Sequence, residues 1–151
     1  MIAFNCFFES RIQYDRIGTD DGKQKRQTDV YLIDAMSFAE AEARTIEVAK
    51  PYITGEFTVS ALKRTKFCEI FENAEGDKFY KAKVVFVVLD AEKGKEKRTA
   101  STMLVQASDL ESARDRLEDG MKGTLSDYEV VKIEETPILS VVKYEVKEEK
   151  E

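Results

Sequence analysis

The chain echoes itself at a constant spacing. Phe7-Phe8-Glu9-Ser10-Arg11-Ile12 returns as Phe79-Tyr80-Lys81-Ala82-Lys83-Val84, and Gly22-Lys23-Gln24-Lys25-Arg26 returns as Gly94-Lys95-Glu96-Lys97-Arg98, both 72 residues on. The same step carries Phe38 to Leu110, Ala41 to Ala113, Ala49 to Met121 and Lys50 to Lys122. A step of 71 then carries Phe57 to Tyr128, Val59 to Val130, Leu62 to Ile133 and Thr65 to Thr136. Whatever one copy folds into, the other must resemble. In a chain of 151 residues, that leaves room for two like units and little else.

Each copy reads as the same run of elements. Phe8, Ser10, Ile12 and Tyr14 alternate with Phe7, Glu9, Arg11 and Gln13, the period of a strand, and a second strand runs through Gln27–Ile33 after the turn Gly18–Gly22. Ser37 followed by Glu40 is a capping box, so a helix is predicted from Phe38, with a stripe of Phe38, Ala41, Thr45, Ile46 and Ala49. Pro51 disfavours helical geometry at Lys50 and ends it. Strands follow over about 56–64 and 66–72, then the turn Asn73–Asp77. The second copy is predicted as strands 78–89 and 96–106, a helix over about 109–121 with a Ser108/Glu111 box, and strands 127–135 and 138–144. Its helix carries Leu110, Ala113, Leu117 and Met121 on one stripe, and Gly120 and Gly123 close it.

The fold class is therefore α+β, two tandem ββαββ repeats of about 5–73 and 77–144 in a single globular unit 1–144, with a charged tail 145–151. Each short, one-sided helix must lie on a sheet. The expectation is two four-stranded antiparallel sheets, or one long curved sheet, related by a pseudo-two-fold axis. Taken from the middle, strands three to six and the second helix make a continuous ββββα run.

Composition narrows the chemistry. The chain has no histidine, which removes histidine acid–base catalysis and the Ser-His and Cys-His nucleophile pairs. Cys6 and Cys68 alone make neither a disulfide framework nor a complete zinc set, and read as reduced thiols. No stretch approaches the ~20 apolar residues needed to cross a bilayer. The start, Met-Ile-Ala-Phe-Asn-Cys-Phe-Phe, lacks the basic and apolar regions of a signal peptide. A cytoplasmic protein with no catalytic residue, no cofactor, no metal and no membrane partner is expected.

The remaining signals are surfaces. With Tyr80, Ala82, Val84 and Phe86 turned inward, Phe79, Lys81 and Lys83 face outward, as do Phe7 and Arg11 in the first copy. Lys23, Lys25 and Arg26, and Lys93, Lys95, Lys97 and Arg98, stand at the hairpin tips. Aromatic side chains interleaved with cations suit single-stranded nucleic acid, the rings stacking on bases while Lys and Arg meet phosphates. The opposing reading buries Phe7 and Phe79 under the other lobe and leaves the lysines to keep strand edges soluble. The net charge of −6 disfavours a polyanion overall, so the binding reading rests on local patches. Asp15, Asp20-Asp21-Gly22, Asp90 and Glu92 read as surface turns, lacking EF-hand spacing. The post-helix loops Lys50–Glu56 and Lys122–Asp127 share a Lys, a hydroxyl and a Gly but not the order of a phosphate-cradling loop.

The strings Tyr31–Arg44, Lys50–Val59 and Gly120–Glu129 resemble an uncharacterised domain-of-unknown-function family of Bacteroidetes genomes and their tailed phages, and the likeness runs to about Tyr144. It implies a cytoplasmic, phage- or mobile-element-associated protein and transfers no catalytic residue. The ββββα order is also similar to the Whirly and PUR-type single-stranded nucleic-acid-binding folds, which work as paired repeats. The expected function is thus non-enzymatic binding of single-stranded nucleic acid through Phe7, Arg11, Lys23, Arg26, Phe79, Lys81, Lys83, Lys95 and Arg98. The alternative is an accessory factor of counter-defence type, binding a host or phage protein or a small ligand near Thr54 and Thr124, as a homo-oligomer.

Overall fold

Alternating and cap-flanked segments become eight strands and two helices in the computed structural model, which describes residues 6–17 and 24–143. They are β1 (Phe7–Ile17), β2 (Gln24–Asp34), α1 (Phe38–Ala49), β3 (Phe57–Arg64), β4 (Phe67–Phe71), β5 (Lys78–Asp90), β6 (Lys95–Ala107), α2 (Leu110–Gly120), β7 (Asp127–Thr136) and β8 (Ile138–Val142). The order is ββαββ twice, an α+β chain of two similar halves.

The pairing departs from the sequence expectation in one respect. One sheet runs β3-β1-β2-β8 and the other β4-β6-β5-β7. Three strands of each sheet come from one half and pair antiparallel, whereas the fourth comes from the other half and pairs parallel, β8 along β2 and β4 along β6. The sheets are therefore mixed, and the halves exchange their last strands. The compact units follow the exchange: one is Met1–Thr65 with Ile138–Glu151, the other Lys66–Pro137. The repeat boundary near residue 75 is not a unit boundary, and the ββββα run is not a structural unit, because β3 pairs with β1 while β4 joins β6.

In the first unit Phe8, Ile12, Tyr31 and Ile33 form the sheet face that α1 covers with Ala41, Thr45 and Ala49. Small residues bring the helix close to the sheet, so Phe38 and Ile46, expected in the buried stripe, are displaced to its flanks and stay 52% and 40% exposed. The buried Thr45 hydroxyl is satisfied by donating to the Ala41 carbonyl at 2.6 Å. Ser37 caps the helix as expected, accepting from the Glu40 amide at 3.2 Å while the Glu40 carboxylate takes the Met36 amide at 3.2 Å.

The second unit repeats the plan. Tyr80, Ala82, Val84, Met103 and Val105 pack under Ala113, Leu117 and Met121. Leu117 is fully buried, and its truncation to alanine removes about 3 kcal/mol. The capping box lies one residue beyond the Ser108/Glu111 expectation. Asp109 accepts from the Ser112 amide at 2.7 Å, and Ser112 Oγ accepts from the Asp109 amide at 3.1 Å. The 72-residue step carries Ser37 to Asp109 and Glu40 to Ser112, so the internal echo locates this cap better than the Ser-x-x-Glu spelling does.

Both units also share a β-bulge. Ser60 is the extra residue of β3 opposite Arg11 and Ile12, and Val131 is the extra residue of β7 opposite Lys83 and Val84. Bulges bend an edge strand and change which face its later residues reach. No helix among the described residues is long and apolar enough to cross a membrane.

Candidate interaction surface

The expected aromatic-basic face is only partly available. Phe7 is 6% exposed and Phe79 5%, so neither ring offers a face to a base. Strand alternation was right about the side of the sheet they occupy, opposite Phe8 and Tyr80, but that side is buried too where they lie. This corrects their assignment as stacking residues. Lys23 lies outside the described residues.

Most of the arginines already have partners. Arg11 lies 3.5 Å from Glu9, Arg26 donates to the Gln13 side chain at 2.9 Å, and Arg98 meets Glu129 at 2.5 Å. Lys81, Lys83 and Lys95 are exposed and have no ion pair among the described residues. Lys81 and Lys83 share the face of β5 away from α2. Across the β5–β7 register, Lys81 stands opposite Glu134 and Lys83 opposite Lys132. Lys132 Nζ turns to Glu134 at 3.2 Å. Like charges directly opposite in a ladder are mildly destabilising.

The other expected sites dissolve into turn structure. Asp90 accepts from the Glu92 amide at 3.1 Å, and its carbonyl takes the Gly94 amide at 2.8 Å, closing the β5–β6 hairpin. Asp20 and Asp21 lie outside the described residues. Thr54 and Thr124 are exposed loop residues. Cys6 is half-buried and Cys68 exposed, both as free thiols.

One feature of the second unit was missed in the sequence. An open groove of about 1160 Å³ lies between α2 and β7, walled by Leu110, Glu111, Arg114 and Glu118 on the helix and by Tyr128 and Val130 to Ile133 on the strand. Leu110 and Val131 stand 55% exposed at its sides. Tyr128 leans on Phe86, with ring centroids 6.5 Å apart. Because β7 is last in its sheet, no described strand pairs with its outer edge.

At the matching place in the first unit three side chains meet. Phe38, which corresponds to Leu110, meets Phe8 edge to face at 4.9 Å, and the Arg64 guanidinium lies 5.4 Å over Phe8 and 5.8 Å over Phe38. Arg64 stands opposite Phe8 in the ladder as Glu135 stands opposite Tyr80. The second unit carries leucine and glutamate, Leu110 and Glu135, at these two positions. The substitution of Leu110 for Phe38 was visible in the echo. Its consequence needed the knowledge that β7 runs along a sheet edge beside α2.

No curated protein and no solved structure matches this chain. A family model does, over residues 6–144: the chain belongs to the domain-of-unknown-function family DUF4494.

Proposed function

We propose that this chain is a non-enzymatic protein-interaction module whose second unit receives an extended polypeptide segment along β7, with apolar side chains seated in the α2–β7 groove. The observation that carries the reading is the open groove beside β7, a ten-residue strand at the edge of its sheet, where the corresponding residues of the first unit, Phe38 and Arg64, gather on Phe8. Added strands gain affinity from main-chain hydrogen bonds and specificity from pockets for alternate side chains. On this reading the protein works in the cytoplasm as an accessory factor of phage or mobile-element origin, built by duplication and fusion of one ancestral unit. The support for this wider setting is the resemblance and internal echo of its sequence.

Selection of linear peptides from a display library against the full chain tests the proposal. Binders should be extended and apolar, and Leu110→Lys or Val131→Asp should weaken them about tenfold or more. Absence of binders, or binding indifferent to both substitutions, would falsify it.

A second reading keeps single-stranded nucleic acid as the ligand, held by its phosphates rather than by base stacking. Its specific support is the Lys83–Lys132 juxtaposition beside the unpaired Lys81, where an anion would relieve the like-charge contact. A fluorescent oligonucleotide should then bind in low salt and release as salt rises, and Lys81→Glu with Lys83→Glu should abolish binding. No binding in low salt ends this reading.

A further inference from the structure

Resting on the groove reading above, we infer that the extended segment is β7 of a second copy of this chain, the two strands pairing antiparallel about a two-fold axis between Val130 and Val131. The argument comes from the bulge. In an antiparallel ladder, residues directly opposite each other share a face of the sheet. A regular strand paired with itself about a point between two successive residues would set opposite faces together. The extra residue at Val131 removes that conflict. Before it, Val130 and Tyr128 lie opposite Val84 and Phe86 on the α2 side, and Glu129 lies on the other. After it, Ile133 is on the α2 side and Lys132 on the other. An axis between Val130 and Val131 therefore sets Tyr128 against Ile133, Val130 against Val131, and Glu129 against Lys132, each pair on one face and each occurring twice.

Charge selects this register from its neighbour. Moving the axis one residue along sets Val131 against Lys132, on the other face, and Glu129 against Glu134. In the chosen register each copy instead brings a carboxylate to the place where Lys83 and Lys132 oppose one another. Glu129 is already held by Arg98 and Lys132 by Glu134, so the interface extends existing ion pairs. The one like-charged pair, Asp127 with Glu134, falls toward the end of the ladder, where solvent screens it. The bulge residue supports the same choice. In the first unit it is Ser60, whose hydroxyl donates back to the Arg11 carbonyl at 3.3 Å. In the second it is a valine left 55% exposed, which a second copy would cover with Val130. Self-complementarity of one patch is what a two-fold interface requires.

Sedimentation of the full chain over a wide concentration range tests this directly, with circular dichroism to confirm that each variant is folded. A monomer–dimer equilibrium is expected. Lys132→Glu should weaken the dimer about tenfold or more, and adding Glu129→Lys should restore it by exchanging the charges. Val131→Asp should also dissociate it. A chain monomeric throughout, a dimer indifferent to Lys132→Glu, or a charge exchange that fails to restore association overturns the inference. Dimerisation that needs added oligonucleotide overturns it as well. A monomer whose groove still takes library peptides in a Leu110-dependent way overturns the second copy as partner and leaves the broader reading standing.

Discussion

Thr65 and Phe7 are joined twice: the Thr65 amide donates to the Phe7 carbonyl at 2.9 Å, and its hydroxyl donates to the same oxygen at 2.8 Å. Thr136 gives its hydroxyl to the Phe79 carbonyl at 2.8 Å in the second unit. Each threonine sits where the chain leaves one sheet for the other, so the bond pins the end of β3 or β7 before the crossing. Thr65→Val and Thr136→Val keep the shape and remove the hydroxyl, and each should cost about 1 kcal/mol in urea unfolding.

Ser10 should behave in the opposite sense. It is fully buried, and its Oγ has no hydrogen-bond partner. The corresponding residue, Ala82, is equally buried without that burden. Ser10→Ala should therefore stabilise the protein by about 1 kcal/mol. A loss of stability would mean that the hydroxyl is satisfied in solution.

Gly76 is required by proximity. A Cβ there would lie 2.6 Å from the backbone of Ala107. Gln106 fastens the same turn, donating to the Gly76 carbonyl at 2.9 Å and accepting from the Asn73 amide at 3.1 Å. Gly76→Ala should destabilise by about 3 kcal/mol, because backbone cannot swing aside as a side-chain tip can.

Stability should fall at both extremes of pH. Backbone and side-chain hydrogen bonds from Ser112 hold the Asp109 carboxyl below its ordinary range. Its contribution is present above the unfolded aspartate value of about 3.9 and is lost as pH falls through the lower folded value. Tyr14 and Tyr31 are raised above the ordinary phenol value, chiefly by burial and then by Asp29, which accepts from the Tyr14 hydroxyl at 2.9 Å. Their contribution is present below about pH 10 and is lost as pH climbs through the folded values. Asp109→Asn should flatten the acid limb, and Tyr14→Phe should reduce the alkaline one in pH-dependent thermal melts.

The groove can be closed with the first unit's own solution. Leu110→Phe with Glu135→Arg recreates the Phe38–Arg64 arrangement on Tyr80 and should gain about 1 kcal/mol of stability. Peptide binding at the groove should fall at the same time. Binding that survives in a stabilised variant would place the working surface elsewhere.

What could be read in the sequence was local or echoed. Strand alternation, the Ser37 box and the Pro51 stop each depend on residues within a turn or two, so β1 to β8 and both helices fall close to their predicted places. The echo supplied the equivalence of the two halves, but the second cap was expected at Ser108, one residue short of Asp109. Tertiary structure decided the rest. Alternation shows that Phe7 and Phe79 sit on one side of a strand, but not whether that side meets solvent. Only long-range packing buries them. Nor does any local signal choose which sheet a five-residue strand joins. β4 and β8 leave their own halves because the vacant hydrogen-bonding edges of β6 and β2 take them in, and those edges exist only once the sheets have formed.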